Sequence, residues 1–273
     1  MPVVIRTVLI GALVGTHVSC WGMYKDAPHE GFTWVKFFRS IVLAALIAPL
    51  LSNLFNLYPD NAASAVILFG VVYASERLML EAWKTFFRNQ DQSKYAIPMQ
   101  LAVFGKPVQS MTTRVLLGCV YVGVLVGGIA LVSRYYPVSS LSPLLLAVTL
   151  GAAGGWVSAF GGAWKDAPIE GFETFKFFRS PAIAAFYAFL LYSLGATPIQ
   201  GLLGAIGFTV ATTETYKTFF FPSKPRGKFA GKPVLFPDML KRRQYLIPIY
   251  AGIWVAILAG LVIAFTHRSA IAV

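Results

Sequence analysis

Eight runs of mostly apolar residues divide this chain, at roughly 3–22, 40–57, 62–82, 115–133, 143–163, 180–196, 199–216 and 245–266. Each is close to the ~20 residues a helix needs to cross ~30 Å of hydrocarbon. Backbone polar groups must be satisfied internally there, and segments of this length do so as helices. The reading is an all-α polytopic membrane helix bundle of about eight transmembrane helices. Charged residues are 12% of the 273, about half the usual ~25%. So few charges cannot solvate the exterior of a soluble domain, which excludes a soluble enzyme and a disordered chain. Cys20 and Cys119 fall inside apolar runs without a CxxC or Cys/His pattern. That excludes a disulfide scaffold and makes both small buried hydrophobes.

The chain repeats itself. Residues 25–40 read KDAPHEGFTWVKFFRS and 165–180 read KDAPIEGFETFKFFRS, identical at 12 of 16 positions. A second shared block is Glu81-Ala-Trp-Lys84-Thr-Phe-Phe87 against Glu214-Thr-Tyr-Lys217-Thr-Phe-Phe220. A third is Gly105-Lys-Pro-Val108 against Gly231-Lys-Pro-Val234, in the same order. The expectation is a tandem duplication of a four-helix unit, with halves 1–137 and 138–273. An even number of spans per unit gives both copies the same orientation, a parallel repeat about an axis along the membrane normal. Gly11-x-x-x-Gly15 and Gly151-x-x-x-Gly155 are close-packing faces, assigned either to the seam between halves or to helix contact elsewhere. Arg6 and the apolar residues after it resemble a signal peptide, but the matching segment lies in mid-chain and argues for a retained span.

The net charge of +12 is unevenly placed. With eight spans, 20 of the 23 Lys and Arg fall on one side, leaving Arg6, Arg134 and Arg268 opposite. The basic side is read as cytoplasmic and both termini as non-cytoplasmic, in a bacterial inner membrane or an organelle membrane. Expected partners are membrane lipids, anionic ones favoured by the basic loops, which include Lys224 and Arg226. Assembly into a homo-oligomer or larger complex is open. No nucleic-acid motif is present. Tyr135-Tyr136-Pro137 reads as an interfacial belt and turn.

In the repeated block, Asp26 and Asp166 are expected to cap a short helix with Pro28 and Pro168 in its first turn. Phe37-Phe38 and Phe177-Phe178 would dip into the acyl boundary, with Lys36, Arg39, Lys176 and Arg179 snorkelling. Ser40 and Ser180 would cap the next span. Glu81 and Glu214 should end the third helix of each half, paired with Lys84 and Lys217. The two Gly-Lys-Pro strings lack Walker spacing and read as turns. His17, opposite Val157 in the other copy, reads as a helix-packing hydrogen bond or a proton site.

Ionisable groups this near the lipid are costly, and they face a wet cavity or a partner. The candidate binding or pathway residues are Lys25, Asp26, Glu30, Arg39, Glu81, Lys84, Lys165, Asp166, Glu170, Arg179, Glu214 and Lys217. No catalytic residue is assigned, and no cofactor or metal is specified. Three functions fit. The first is a transporter or channel-like permease with a charged cytoplasm-facing site between pseudo-symmetric halves, for an ion or an anionic or phosphorylated solute. The second is a non-catalytic lipid-binding or assembly subunit. The third is a Mg²⁺-dependent enzyme on lipid-linked phosphate. The balance leans away from an enzyme.

Overall fold

The computed structural model describes residues 1–135, 141–222 and 227–271, without the side chains of 268–271. The expected turn at Tyr136-Pro137, the basic residues Lys224 and Arg226, and the side chain of Arg268 lie outside the described residues. The main helices are α1 (Val3–Glu30), α2 (Trp34–Leu54), α3 (Ala62–Ala82), α4 (Met111–Tyr135), α5 (Pro143–Glu170), α6 (Thr174–Ser193) and α7 (Pro198–Phe219). A short α8 (Met239–Arg242) precedes the long α9 (Leu246–Ile271). Among the described residues, six segments are long and apolar enough to cross a membrane: α1, α2, α3 with its extension to Phe87, α4, α5, and Met239–His267. The chain is therefore an integral membrane protein of helical build. Helices α6 and α7, counted as spans from the sequence, fall outside those six.

The repeated block folds differently from expectation. Residues 25–30 and 165–170 are the last turns of α1 and α5, not a separate capped helix. Pro28 is tolerated because the carbonyl it orphans, that of Tyr24, accepts from Arg243 Nη1 at 3.2 Å. The stop is glycine: Gly31 (φ 74°, ψ 166°) and Gly171 (φ 83°, ψ 167°) donate to Ala27 and Ala167 at 2.9 Å. That backbone region is open essentially to glycine alone. Gly31→Ala should therefore cost about 1–3 kcal/mol, read as a lower unfolding midpoint in a fixed detergent. An unchanged midpoint would contradict the assigned turn.

Because the turn is so tight, α2 and α6 begin at Trp34 and Thr174, and the phenylalanine pairs sit in their first turns. Ser40 and Ser180 are then inside helices rather than caps. They lie under the glycines of the preceding helix. A Cβ at Gly11 would stand 2.3 Å from the Ala44 carbonyl oxygen, and one at Gly155 would stand 2.5 Å from Pro181 Cα. The two GxxxG faces thus close the α1–α2 and α5–α6 hairpins. They do not join the first repeated segment to the second.

The seam is α3 against α7. Gly70 lies against Gly204 and Phe208, and a Cβ at Gly207 would be 2.1 Å from the Gly70 carbonyl oxygen. Contacts climb together along both helices, Ile67 with Gly204 and Ala74 with Gly207, so α3 and α7 run in the same sense. Both start with capping boxes, Asn61 with Ser64 and Thr197 with Gln200. Gln200 also donates to the Phe55 carbonyl at 2.9 Å, joining the ends away from the charged loops.

Around this seam lies the core of Val14, Leu68, Val72, Phe208, Leu191 and Ile257. His17 is fully buried in it, stacked on Tyr250 at 4.2 Å and hydrogen-bonded through Nδ1 to the Tyr73 hydroxyl at 3.1 Å. Trp21 donates to the same hydroxyl at 2.9 Å. His17 is placed as a packing group. Cys20 is buried as expected, but Cys119 is exposed, because α4 is the least covered of the spanning helices.

Candidate functional site

The charged ends of α1, α3, α5 and α7 meet. Helices α1 and α5 bring in their repeated blocks. Helices α3 and α7 bring in Glu81 and Glu214. Two long connections, 83–110 and 220–245, close over them. The first opens with a π-helical turn, Trp83–Phe87, and holds a hairpin of β1 (Ala102–Val103) and β2 (Lys106–Pro107). Phe104 and Gly105 take positive φ at its tip, and Gly231 does so in the other connection; each Gly-Lys-Pro string thus leaves a turn at its glycine, but Lys106 and Pro107, expected as turn residues, form β2.

Each connection reaches the end of a helix that carries a repeated block, the first that of α5 and the second that of α1. The Ala102 carbonyl accepts from Trp164 Nε1 at 2.9 Å, beside the second block. The Pro28 carbonyl, in the first block, accepts from the Leu235 and Phe236 amides at 3.0 and 2.9 Å. His29 adds a hydrogen bond from Nδ1 to the Pro233 carbonyl at 2.9 Å. The connections also touch each other, through Ala96 N–H to the Lys228 carbonyl at 2.7 Å and the cluster of Tyr95, Met99 and Phe229. Burial there lifts the Tyr95 phenol above its ordinary pKa, so it stays neutral beside the Lys94 and Lys228 ammonium groups that lie over its ring.

Beneath this roof is a cavity of about 1170 Å³. All twelve charged residues singled out from the sequence line it: Lys25, Asp26, Glu30, Arg39, Glu81, Lys84, Lys165, Asp166, Glu170, Arg179, Glu214 and Lys217. Their acids are engaged. Asp26 pairs with Lys228 at 2.7 Å, and Glu30 pairs with Lys36 at 2.9 Å and Lys94 at 3.6 Å. In the second block one ammonium serves the two acids shared with the first, Lys176 lying 3.5 Å from Asp166 and 3.2 Å from Glu170. Lys36 and Lys176 therefore turn back to the acids instead of snorkelling. Glu81 binds Lys84 at 2.9 Å and also Arg77; Glu214 binds Lys217 at 3.5 Å. Lys25 on α1 reaches Glu214 on α7 at 3.9 Å.

The cations are not all used. Among the described lining residues, eleven Lys and Arg face seven Asp and Glu, an excess of four positive charges. Among the described residues, Arg39, Arg88 and Lys165 have no carboxylate within ion-pair distance, and the Lys165 ammonium touches only the Met99 sulfur, at 3.6 Å. Such a space favours an anion. Guanidinium and ammonium donors free of acid partners are suited to phosphate or carboxylate oxygens. Among the described residues no three His, Cys, Asp or Glu side chains converge as a metal ligand set.

Sequence reasoning left Glu76, Arg77, Arg88 and Glu173 out of the site and placed Lys228 only in the basic loop. Glu76 and Arg77 sit within the third apolar run, and two charges inside a span were a sufficient signal. Arg77 faces the cavity, while Glu76 is fully buried behind it. Arg88 and Lys228 lie in the connections, and only the folding of those segments over the helix ends brings them in. No protein-family model matches the chain, and no curated protein or solved structure is significantly similar to it.

Proposed function

We propose that this protein is a membrane permease for an anionic, phosphate-bearing ligand, with its binding site between two four-helix halves. In this reading the halves, 1–137 and 138–273, are a parallel tandem duplication with four spans each. The basic face is cytoplasmic and the termini are opposite. The matched glycine turns, the same-sense crossing of α3 and α7, and the reciprocal reach of the two connections support that arrangement. One observation carries the ligand class: both charged sets line a single cavity whose cations outnumber its acids by four. A pathway for cations is less well supported, because Asp26, Glu30, Asp166 and Glu170, the acids common to both blocks, already hold a lysine.

The test is flux in liposomes loaded with radiolabelled inorganic phosphate or glycerol 3-phosphate. Arg39→Gln with Lys165→Gln should slow protein-dependent flux at least about tenfold, a loss of about 1.4 kcal/mol of binding. Asp26→Asn with Asp166→Asn should slow it less. Equal flux for the cation-deleted and unaltered proteins would contradict the reading. A second reading, a lipid-binding subunit that moves nothing, is favoured by the intrachain pairing of the block acids. It predicts ligand binding without flux.

A further inference from the structure

The cavity does not end at its charged base. A crevice continues from it into the apolar layer between α4 and α5. Tyr121, Leu125, Gly128 and Val132 line it from α4, a spacing that puts them on one helix face. Leu150, Val157 and Gly161 line it from α5. The eleven steps along α4 from 121 to 132 rise ~16 Å, about half the ~30 Å hydrocarbon core. The crevice is thus as deep as one leaflet, with the positive groups at its headgroup end.

Helix α4 keeps the crevice open. Only 6% of its apolar window is buried within the chain. It rests on the π-helical turn, where Gly118 fits against Phe86, and on α7. Across the crevice from it stands α5. A water-soluble phosphate would need only the charged base, and apolar walls of leaflet depth would give it no contact. An amphiphile uses both ends.

We propose that the ligand is a phospholipid with a phosphate monoester headgroup, held among Arg39, Arg88 and Lys165, with an acyl chain in the α4–α5 crevice. This rests on the anion-site reading above and names its ligand. A monoester carries close to two negative charges at neutral pH, which fits an excess of positive charge better than a singly charged diester does. Burying the chain adds the apolar contribution that a free phosphate lacks.

Native mass spectrometry of the full chain in detergent tests it, with phosphatidic acid, phosphatidylglycerol, phosphatidylcholine of the same chains, and glycerol 3-phosphate as probes. Phosphatidic acid should bind at least about tenfold more tightly than each of the others. Arg39→Gln with Arg88→Gln should weaken it about tenfold or more. So should Gly128→Phe, which fills the crevice from a position where a side chain meets open space. Gly123→Phe, equally open but outside the cavity lining, should bind as the unaltered protein does, and it controls for folding. Glycerol 3-phosphate binding as tightly as phosphatidic acid would overturn the lipid assignment and leave the anion site standing. Equal binding of phosphatidic acid and phosphatidylcholine would reduce the crevice to ordinary lipid contact and also overturn it. Failure of every phosphate probe to bind would remove the anion site as well.

Discussion

Arg77→Gln should lower the stability of this protein by about 3–5 kcal/mol, the usual penalty for removing one partner of a buried ion pair. Arg77 lies between two carboxylates. Its Nη1 is 3.8 Å from Glu76, its Nη2 donates to Glu81, and its guanidinium sits 5.2 Å over the Trp21 ring. Glu81 would keep Lys84. Glu76 would keep nothing comparable, since its side chain is 0% exposed and neither oxygen has a hydrogen-bond partner among the described residues. The cost is thus mostly that of a stranded charge, and neutralising Glu76 should recover it. Glu76→Gln in the Arg77→Gln background should restore about 2 kcal/mol or more, a strong coupling in a double-mutant cycle. Arg77→Lys, which retains the charge, should fall between. Denaturation in one detergent, all variants side by side, reads these values. A double variant no more stable than Arg77→Gln alone would show that Arg77 acts through packing rather than charge.

Gly207→Ala should cost about 3 kcal/mol or more, at the upper end of overpacking penalties. The added methyl would meet the Gly70 carbonyl oxygen at 2.1 Å and the Ala74 nitrogen at 3.0 Å. Both are helix backbone and have no rotamer to yield. The α3–α7 seam would have to part, and with it the joint between the two charged sets. Gly201→Ala, almost two turns earlier on the same helix, is the internal comparison. A Cβ there meets nothing within 4 Å, so the change should gain about 0.5–1 kcal/mol of helix propensity. Thermal unfolding of the pair should shift in opposite directions. Shifts of equal size and sign would mean that α3 and α7 do not meet where described.

What could be read from the residues follows their physics. Span-length apolar runs and the repeated blocks are local signals, and the helices α1 to α7 stand close to where those runs lie. The paired Glu81–Lys84 and Glu214–Lys217 contacts need only helical spacing. Whether Asp26 begins a helix or ends one is a different kind of question. Proline favours the first turn, and nothing local announces that Arg243, more than 200 residues on, satisfies the carbonyl that Pro28 orphans. The two GxxxG strings were legible as close-packing faces, but their partner was not. Small residues permit approach to any helix, and the short Gly31 and Gly171 turns decide in favour of the hairpin. The true seam glycines, Gly70, Gly204 and Gly207, carry no GxxxG spacing on α3 and were passed over. Likewise the twelve charged residues could be named, but not their division of labour. That depends on Lys36, Lys176 and Lys228 occupying the acids and leaving Arg39, Arg88 and Lys165 for something else.

The central claim is that both repeated blocks contribute to one water-filled, positively charged space on the basic face. Thiol reactivity measures this most directly. Lys25→Cys and Lys165→Cys, each made without Cys20 and Cys119, are treated in sealed oriented vesicles with small impermeant reagents of opposite charge. At both positions the anionic reagent should react at least about tenfold faster than the cationic one, as expected for a field focused by low-dielectric walls, and only from the basic side. Equal rates for the two reagents, or reaction at one position alone, would contradict a shared anion-attracting cavity.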